Sequence, residues 1–245
     1  MVEPINSWLL DSRIALAVRI RLPGDESPPN LLGGIVRVRL FIDFWNFQLN
    51  WNDASAGCLC DWTKVPTTLV AESKNLLLSA GIDQPMLLEE TRIYASILPS
   101  SPGDVRLKSW LTNFLDRQPS YRVFISERRL SNKPAHCKVC NTETAACPAC
   151  GAPFQRSVEK GVDTSIVTDL LSLAWEGAYD LAILVSSDAD FIPGVDRLQE
   201  KGIKVINATW RGNGYDLART CWASVELDSL VPALARDRSA PRPAG

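Results

Sequence analysis

The chain contains 245 residues, of which 46% are hydrophobic, and its 26 basic and 28 acidic residues give a net charge of −2. This composition can fill one large α/β domain, or one domain that carries a small inserted module. The charge balance excludes a generally basic nucleic-acid binder, so any such contact must come from a local basic patch. No apolar run approaches the roughly 18 residues of a membrane span, and residues 1–22 lack the apolar core of a signal peptide. We therefore expect a cytoplasmic protein without a membrane partner.

Residues 1–34 predict an N-terminal extension and linker. Residues 14–22, IALAVRIRL, are compatible with a strand or a short helix, whereas residues 23–34 are rich in Pro, Gly and Asn, as turns are. We expect this segment to be loosely attached to the domain that follows.

The first clear strand signal is at residues 35–42, IVRVRLFI, which alternate between apolar and basic residues and then become wholly apolar. Asp43 stands at the carboxyl end of this strand, and Asn46 follows in the next turn. In open α/β sheets, ligands bind beyond the carboxyl ends of the strands. Asp43 is therefore a candidate site residue, and an ordinary turn-forming residue is the alternative.

Three tryptophans come next, Trp45, Trp51 and Trp62, together with the pair Cys58 and Cys60. Aromatic side chains near an acidic residue can stack on unpaired bases, but we expect core packing for these three. A Cys-x-Cys pair is a weak metal signal, and a disulfide is not expected in a reducing compartment. We expect both thiols to be packed.

Between residues 65 and 127, helical and extended patterns alternate. Apolar spacing predicts helices at 65–80 and 105–116, and strands at 88–98 and 121–127. Such alternation produces parallel strands with right-handed crossovers. The sequence thus predicts an α/β fold, with a mainly parallel sheet flanked by helices.

Residues 128–158 break this pattern, because they contain too few hydrophobic residues for a core. They carry two Cys-x-x-Cys pairs with six residues between the pairs, namely Cys137, Cys140, Cys147 and Cys150. Four thiolates satisfy a tetrahedral structural zinc site, and metal binding would order a segment this short. We predict an inserted Zn²⁺ module, with iron bound by four thiolates or a redox dithiol as alternatives. His136, the one histidine of the chain, is expected to lie outside the ligand set.

The same region is locally basic. Between residues 120 and 160 there are seven basic residues and three acidic ones. The basic residues are Arg122, Arg128, Arg129, Lys133, Lys138, Arg156 and Lys160. Arg128, Arg129 and Lys160 are candidates to hold the phosphates of a substrate, and a solvated, charge-rich loop is the alternative.

Acidic residues mark the following helix and strand. Lys160 to Asp163 open a helix whose apolar stripe continues to Ala174, and this places Asp163 in the first turn. Residues 181–185, LAILV, predict a buried parallel strand, and Asp188 and Asp190 follow it in a strand-to-helix turn. Aspartate is a common helix cap, yet closely spaced carboxylates also favour a bound cation or a shared proton. The sequence therefore predicts a metal or acid/base site, with helix capping as the alternative.

The last third of the chain completes the pattern. Residues 201–210 predict another strand, residues 215–222 a short helix, and residues 224–228 an edge strand. Residues 231–245 are rich in Arg, Pro and Ala, and we expect a disordered tail there.

Three stretches together resemble the NYN domain of the PIN-like ribonuclease superfamily. They are FIDFWNF at 41–47, KGVDTSIVTDLLSLAWEGAYDLAILVSSDADF at 160–191, and KGIKVINATW at 201–210. The resemblance implies a Rossmann-like nuclease domain over residues 35–230, interrupted by the cysteine module. It also implies an acidic cluster that binds Mg²⁺ or Mn²⁺ and hydrolyses RNA. By position, the implied ligands are Asp43, Asp163, Asp188 and Asp190, supported by Asn46 and Ser186, with Asp169 as a secondary candidate.

These inferences predict a metal-dependent ribonuclease whose partner is single-stranded RNA, in a chain that is compatible with a homo-oligomer. The alternative is a non-catalytic RNA-binding or scaffold protein that uses the zinc module. A Mg²⁺-dependent phosphatase is disfavoured, because no Asp-x-Asp pair follows the first strand.

Overall fold

The computed structural model describes residues 34–131, 134–136, 140, 142–153, 156–158 and 161–236. The strands in chain order are β1 Val36–Asp43, β2 Met86–Ile97, β3 Tyr121–Glu127, β4 Arg129–Ser131, β5 Ala135–His136, β6 Glu143–Thr144, β7 Arg156–Val158, β8 Leu181–Val185, β9 Lys204–Thr209 and β10 Ala223–Glu226. The helices are α1 Phe44–Ala54, α2 Val65–Ser79, α3 Pro102–Asn113, α4 Val162–Trp175, α5 Ile192–Glu200, α6 Tyr215–Thr220 and α7 Val231–Leu234. Short 3-10 helices cover Leu115–Arg117, Ala189–Phe191 and Leu227–Leu230.

A six-stranded sheet in the order β10-β9-β8-β1-β2-β3 organises the domain, and each neighbouring pair in it is parallel. Strand β8 is buried at all five positions, as its continuous apolar sequence predicts for a central strand covered on both faces. The predicted mainly parallel α/β fold is confirmed.

The alternation of side chains along β1 divides the core into two layers. Val38, Leu40 and Ile42 point to the face covered by α1 and α2, whereas Phe41 points to the face covered by α4 and α5. By the same alternation, Asp43 belongs to the face of Phe41. Helix α4 packs on β1 and β2 on that face. It leads into β8, which is parallel to β1, so it runs back from the carboxyl edge of the sheet and its start lies at that edge.

Two segments differ from the prediction. Helix α1 was not predicted, although its buried Phe44, Phe47 and Trp51 recur at helical spacing. The tail predicted to begin at residue 231 begins with ordered structure instead, because Leu234 is fully buried and Ala235 pairs with Cys60. Its remaining residues, 237–245, and the extension 1–33 lie outside the described residues.

The inserted region forms short antiparallel pairs, β4 with β7 and β5 with β6. Its ends join β3 and α4, so the β4–β7 pair starts from the carboxyl edge of the sheet. The predicted site residues Cys137 and Lys160 lie outside the described residues. No helix in the described part of the chain is long and apolar enough to cross a membrane.

Candidate functional site

Asp43 is the last residue of β1 and the N-cap of α1. Its Oδ1 accepts a hydrogen bond from the backbone N–H of Asn46 at 3.1 Å. The helix begins here because aspartate is a favourable cap and because Phe44, Phe47 and Trp51 bury one stripe of the helix. Asp43 was expected to be a site residue or an ordinary turn-forming residue; it caps α1, and this contact fixes its carboxylate at the carboxyl edge of the sheet.

Asp188 lies in the turn that follows the neighbouring strand β8, three residues after Val185. Ser186 is 1% exposed, and its Oγ accepts a hydrogen bond from the N–H of Asp188 at 3.2 Å. Asp188 Oδ1 in turn accepts from the N–H of Asp190 at 2.9 Å and caps the 3-10 helix. Among the described residues, no Lys or Arg forms an ion pair with Asp188 or Asp190. The negative charge of this turn is therefore not neutralised by those residues.

The ends of β1 and β8 are held together directly. Ile42 and Val185 are register partners in adjacent strands, which places the two strand ends side by side at a spacing of about 4.8 Å. Just beyond them, Asn46 Oδ1 accepts a hydrogen bond from the N–H of Ser187 at 3.0 Å. Asn46 thus joins the first turn of α1 to the acidic turn after β8.

A closed ring of hydrogen bonds includes this contact. The Ser187 and Thr209 hydroxyls are 2.9 Å apart, and Thr209 Oγ1 donates to the carbonyl of Asn213 at 3.1 Å. Asn213 Nδ2 donates to Asn50 Oδ1 at 2.8 Å, and Asn50 Nδ2 donates to the carbonyl of Asn46 at 2.7 Å. This polar ring fixes α1, the turn after β8 and the loop after β9 relative to one another.

Two further residues support the acidic turn, and sequence reasoning missed both. Asn207 is fully buried, and its Nδ2 donates to the carbonyls of Leu184 and Ser186 at 3.0 and 2.9 Å. Gly214 has φ +67°, and a Cβ added to it would lie 2.7 Å from the Cα of Ser187. The sequence contained one signal for Asn207, which is an asparagine within an otherwise apolar strand, since a buried amide needs hydrogen-bond partners.

Helix α4 brings Asp163 to the same edge. Asp163 is exposed in the first turn, and the N-cap is Gly161, at φ +87°, so Asp163 does not take the capping role that was its alternative. Asp169, the secondary candidate, lies deeper and accepts from Arg92 at 2.5 Å and from the Tyr94 hydroxyl at 2.7 Å. Burial, followed by this contact with Asp169, raises the pKa of Tyr94. Asp169 therefore ties α4 to the sheet.

Asp43, Asp163, Asp188 and Asp190 share one edge of the sheet without forming a closed cage. Among the described residues, no three His, Cys, Asp or Glu side chains are grouped closely enough to hold one metal ion. All the donors at this edge are oxygens, which hard divalent cations prefer, and Mg²⁺ is commonly held by one or two carboxylates together with waters. The donor set therefore fits a partly hydrated Mg²⁺ or Mn²⁺.

The basic candidates differ in how they are used. Arg128 forms an ion pair with Asp104, and its guanidinium lies 5.1 Å from the centre of the Trp45 ring. Although burial opposes it, hydrogen bonds from Leu98 and Arg128 lower the pKa of Asp104. Arg128 thus anchors the start of the insertion, while Arg129 is exposed. Core packing is confirmed for the other two tryptophans, because Trp51 and Trp62 are buried.

Cys147 and Cys150 lie in a tight turn within the insertion. The N–H of Gly151 donates to the carbonyl of Cys147 at 2.8 Å, and Gly151 has φ +71°. Hydrogen bonds from the N–H groups of Ala149 and Cys150 lower the pKa of the Cys147 thiol. These N–H contacts favour the thiolate, the form that binds metal. Cys140 is exposed and hydrogen-bonds to Thr142 at 3.2 Å.

Comparison with known proteins identifies the family. No significant match to a curated protein was found. A solved structure of a protein of unknown function from Vibrio parahaemolyticus is similar, with 17% identity over 80% of this chain and 96% of that chain, and a TM-score of 0.46. The family model of the NYN domain matches residues 37–228, which is well over half of the chain. The chain therefore belongs to the NYN domain family, a PIN-like family whose members are generally nucleases.

Proposed function

We propose that the protein is a metal-dependent ribonuclease that hydrolyses RNA phosphodiester bonds with water as the nucleophile. One observation carries the proposal. Asp43 ends β1, Asp188 lies three residues beyond the end of the adjacent parallel strand β8, and the hydrogen bond between Asn46 and Ser187 holds the two turns together. A carboxylate edge of this kind, in a family of nucleases, favours phosphodiester hydrolysis supported by a divalent cation.

Asp43 and Asp188 would hold the Mg²⁺ or Mn²⁺ directly, while Asp163 and Asp190 would reach it through its bound waters, because no three of these side chains are grouped closely enough to be direct ligands together. When bound, the cation supplies an activated water and neutralises charge on the leaving oxygen. Asn46 and Ser186 position the Asp188 carboxylate, because they accept hydrogen bonds from the backbone N–H groups of Ser187 and of Asp188 itself. This arrangement keeps the Asp188 carboxylate in place before any substrate arrives.

The strands and helices that carry the four aspartates contain no histidine, since the one histidine of the chain, His136, belongs to β5 in the insertion. A water-based mechanism requires neither a histidine nor a covalent intermediate. For the phosphates of single-stranded RNA, we assign Arg129 and Lys160 as contacts. Arg128 is reassigned to anchoring the insertion, because Asp104 already neutralises its charge.

The test is cleavage of labelled single-stranded RNA in Mn²⁺ by the wild type and by Asp188→Asn. The substitution removes a charge but keeps a residue that caps helices well, so the fold is retained. We expect a loss of about 100-fold or more in rate. Asp196→Asn, an exposed position in the middle of α5, is the matched control and should cleave as the wild type does. Equal cleavage by the wild type and Asp188→Asn would overturn the proposal.

We also propose that Cys137, Cys140, Cys147 and Cys150 bind one structural Zn²⁺. The turn that holds Cys147 and Cys150 supports this, because the backbone N–H groups of Ala149 and Cys150 stabilise a Cys147 thiolate and Gly151 closes the turn on the Cys147 carbonyl. Elemental analysis of the purified protein should find close to one zinc per chain. The Cys147→Ser variant should lose it, whereas Cys58→Ser, outside the insertion, should retain it. Less than about half an equivalent of metal in the wild type would contradict the assignment.

A further inference from the structure

An exposed aromatic residue stands beside the acidic turn. Among the described residues, two aromatic side chains are strongly exposed, Tyr215 at 64% and Trp175 at 50%. Tyr215 begins α6 directly after Gly214, the residue that packs against the backbone of Ser187. Helix α6 also contacts the 3-10 helix that contains Asp190. Tyr215 is therefore at the edge of the sheet that carries the candidate site.

The position of Tyr215 is fixed by the polar ring defined above. Asn213, two residues earlier, is bound to Asn50 of α1, and its carbonyl is bound by Thr209. Leu217 anchors the helix from the other side, because it is fully buried. An exposed aromatic ring on a braced backbone loses little conformational freedom when a flat ligand stacks on it.

A positively charged side chain lies next to the Tyr215 ring. The guanidinium of Arg219, one turn later, lies 5.7 Å from the centre of the Tyr215 ring, and Arg219 is exposed. Within the described residues, Arg219 has no ion-pair partner. An aromatic face beside a free cation is the combination with which proteins bind single-stranded nucleic acids, by stacking on a base and attracting the backbone.

We propose that Tyr215 stacks on one base of the RNA strand next to the cleaved phosphodiester bond, while Arg219 contacts the adjoining backbone. This assignment rests on the proposed ribonuclease function for its choice of ligand. It adds a substrate subsite, formed by α6, that neither the acidic residues nor the insertion supplies.

Trp175 provides a matched control within the same molecule. It is exposed and has a cation over its ring, Lys201 at 4.8 Å. Trp175 ends α4 and Lys201 follows α5, so this pair lies at the amino edge of the sheet, away from the candidate site. The two pairs share their chemistry and differ in location.

The experiment measures binding of a fluorescent single-stranded RNA by anisotropy, with Asp188→Asn as the background so that the RNA stays intact. We expect Tyr215→Ala to weaken binding between about 5-fold and 100-fold, and Tyr215→Phe to restore it, because a phenyl ring stacks as well as a phenol. Trp175→Ala should bind as the background does. Unchanged binding in Tyr215→Ala, or an equal loss in Trp175→Ala, would overturn the assignment.

A second measurement separates stacking from a merely structural effect. A series of RNAs is used in which each carries one abasic nucleotide, at successive positions. Asp188→Asn should bind the RNA more weakly when the missing base is at one particular position. When Tyr215→Ala is added to Asp188→Asn, loss of the base at that position should no longer weaken binding. Additive losses at every position would contradict stacking. Cleavage by the wild type is measured separately, so that failure of the subsite and failure of the proposed nuclease function can be told apart. RNA binding through Tyr215 without cleavage would overturn the nuclease alone, and cleavage with an unchanged KM in Tyr215→Ala would overturn the subsite alone.

Discussion

Strand β8 has one aspartate just before it and another three residues after it, and the two carboxylates have opposite surroundings. Asp180, at the amino edge, accepts from the backbone N–H and the Nε of Arg37 at 2.9 and 3.0 Å and from its Nη2 at 2.7 Å. Asp188, at the carboxyl edge, accepts from a backbone N–H and, among the described residues, forms no ion pair.

The two aspartates differ in whether a cationic side chain of the protein neutralises them. Burial alone would raise the pKa of Asp180, but the hydrogen bonds and charge of Arg37 lower it overall. Asp180 is thus neutralised within the protein and fastens α4 and β8 to β1. Asp188 has no such cationic partner among the described residues, and in the proposed function a divalent cation takes that place.

The largest expected effect comes from removing charge at the carboxyl edge. Asp43→Asn should lower the rate of RNA cleavage by about 100-fold or more, because Asp43 is a proposed cation ligand. Its midpoint of thermal unfolding should change by less than about 2 °C, since asparagine caps α1 as well as aspartate does. Differential scanning fluorimetry beside the cleavage assay checks both. A large drop in the midpoint would mean that Asp43 is structural, as Asp180 is.

A smaller effect is expected from displacing the acidic turn without changing its charge. A Cβ at residue 214 would lie 2.7 Å from the Cα of Ser187, so Gly214→Ala must shift the turn that carries Asp188. We expect kcat to fall by about 10- to 100-fold, since a misplacement near 1 Å has effects of that size. Gly212→Ala is the matched control, because φ is also positive there, at +79°, yet nothing lies within 4 Å of the added Cβ. Equal loss in both variants would show that backbone strain alone is responsible.

At the amino edge the expected effect is on stability. Asp180→Asn should lower the free energy of unfolding by about 1–2 kcal/mol, because it removes a bidentate charge pair with one partly exposed member. The midpoint of thermal unfolding should fall by about 2–8 °C, and RNA cleavage at 25 °C should be unchanged. A loss of cleavage in Asp180→Asn, with the protein still folded, would break the distinction between the two edges.

The smallest expected effect is the pH dependence of the stability difference between the wild type and Asp180→Asn. Because the pKa of Asp180 is lowered in the folded protein, its contribution is fully present above the unfolded-state value of about 3.9. The contribution is lost as the pH falls through the lower folded value. The difference in midpoint between the wild type and Asp180→Asn should therefore be constant from about pH 5 to 8 and shrink below about pH 4. A difference that grows with acidity would contradict the assigned role of Arg37.

Much of the fold followed from local patterns. The strands at residues 121–127 and 181–185 have the predicted bounds, because a run of continuous or alternating apolar residues marks clearly where a strand begins and ends. Helix α1 was missed because its polar residues hide a stripe of aromatic ones. Leu234 was assigned to the tail because the sequence after it is polar, although the chain folds back there to pair with Cys60.

The candidate site was predictable only in part. The positions of Asp43 and Asp188 follow from where two strands end, which the sequence shows. The bonds that hold the site do not, because they join residues 141 and 163 positions apart, as between Asn46 and Ser187 or Asn50 and Asn213. Contacts over such separations have no local signature, since each partner is an ordinary polar residue in its own segment.

Crystals soaked in Mn²⁺ give the most direct test of the central claim, that the carboxyl edge holds a divalent cation. Anomalous difference density should appear within direct or one-water reach of the Asp43 and Asp188 carboxylates. It should disappear in Asp188→Asn and be absent at Asp180, which Arg37 already neutralises. A wild-type crystal with no density at the carboxyl edge, or with Mn²⁺ bound only elsewhere, would contradict the account.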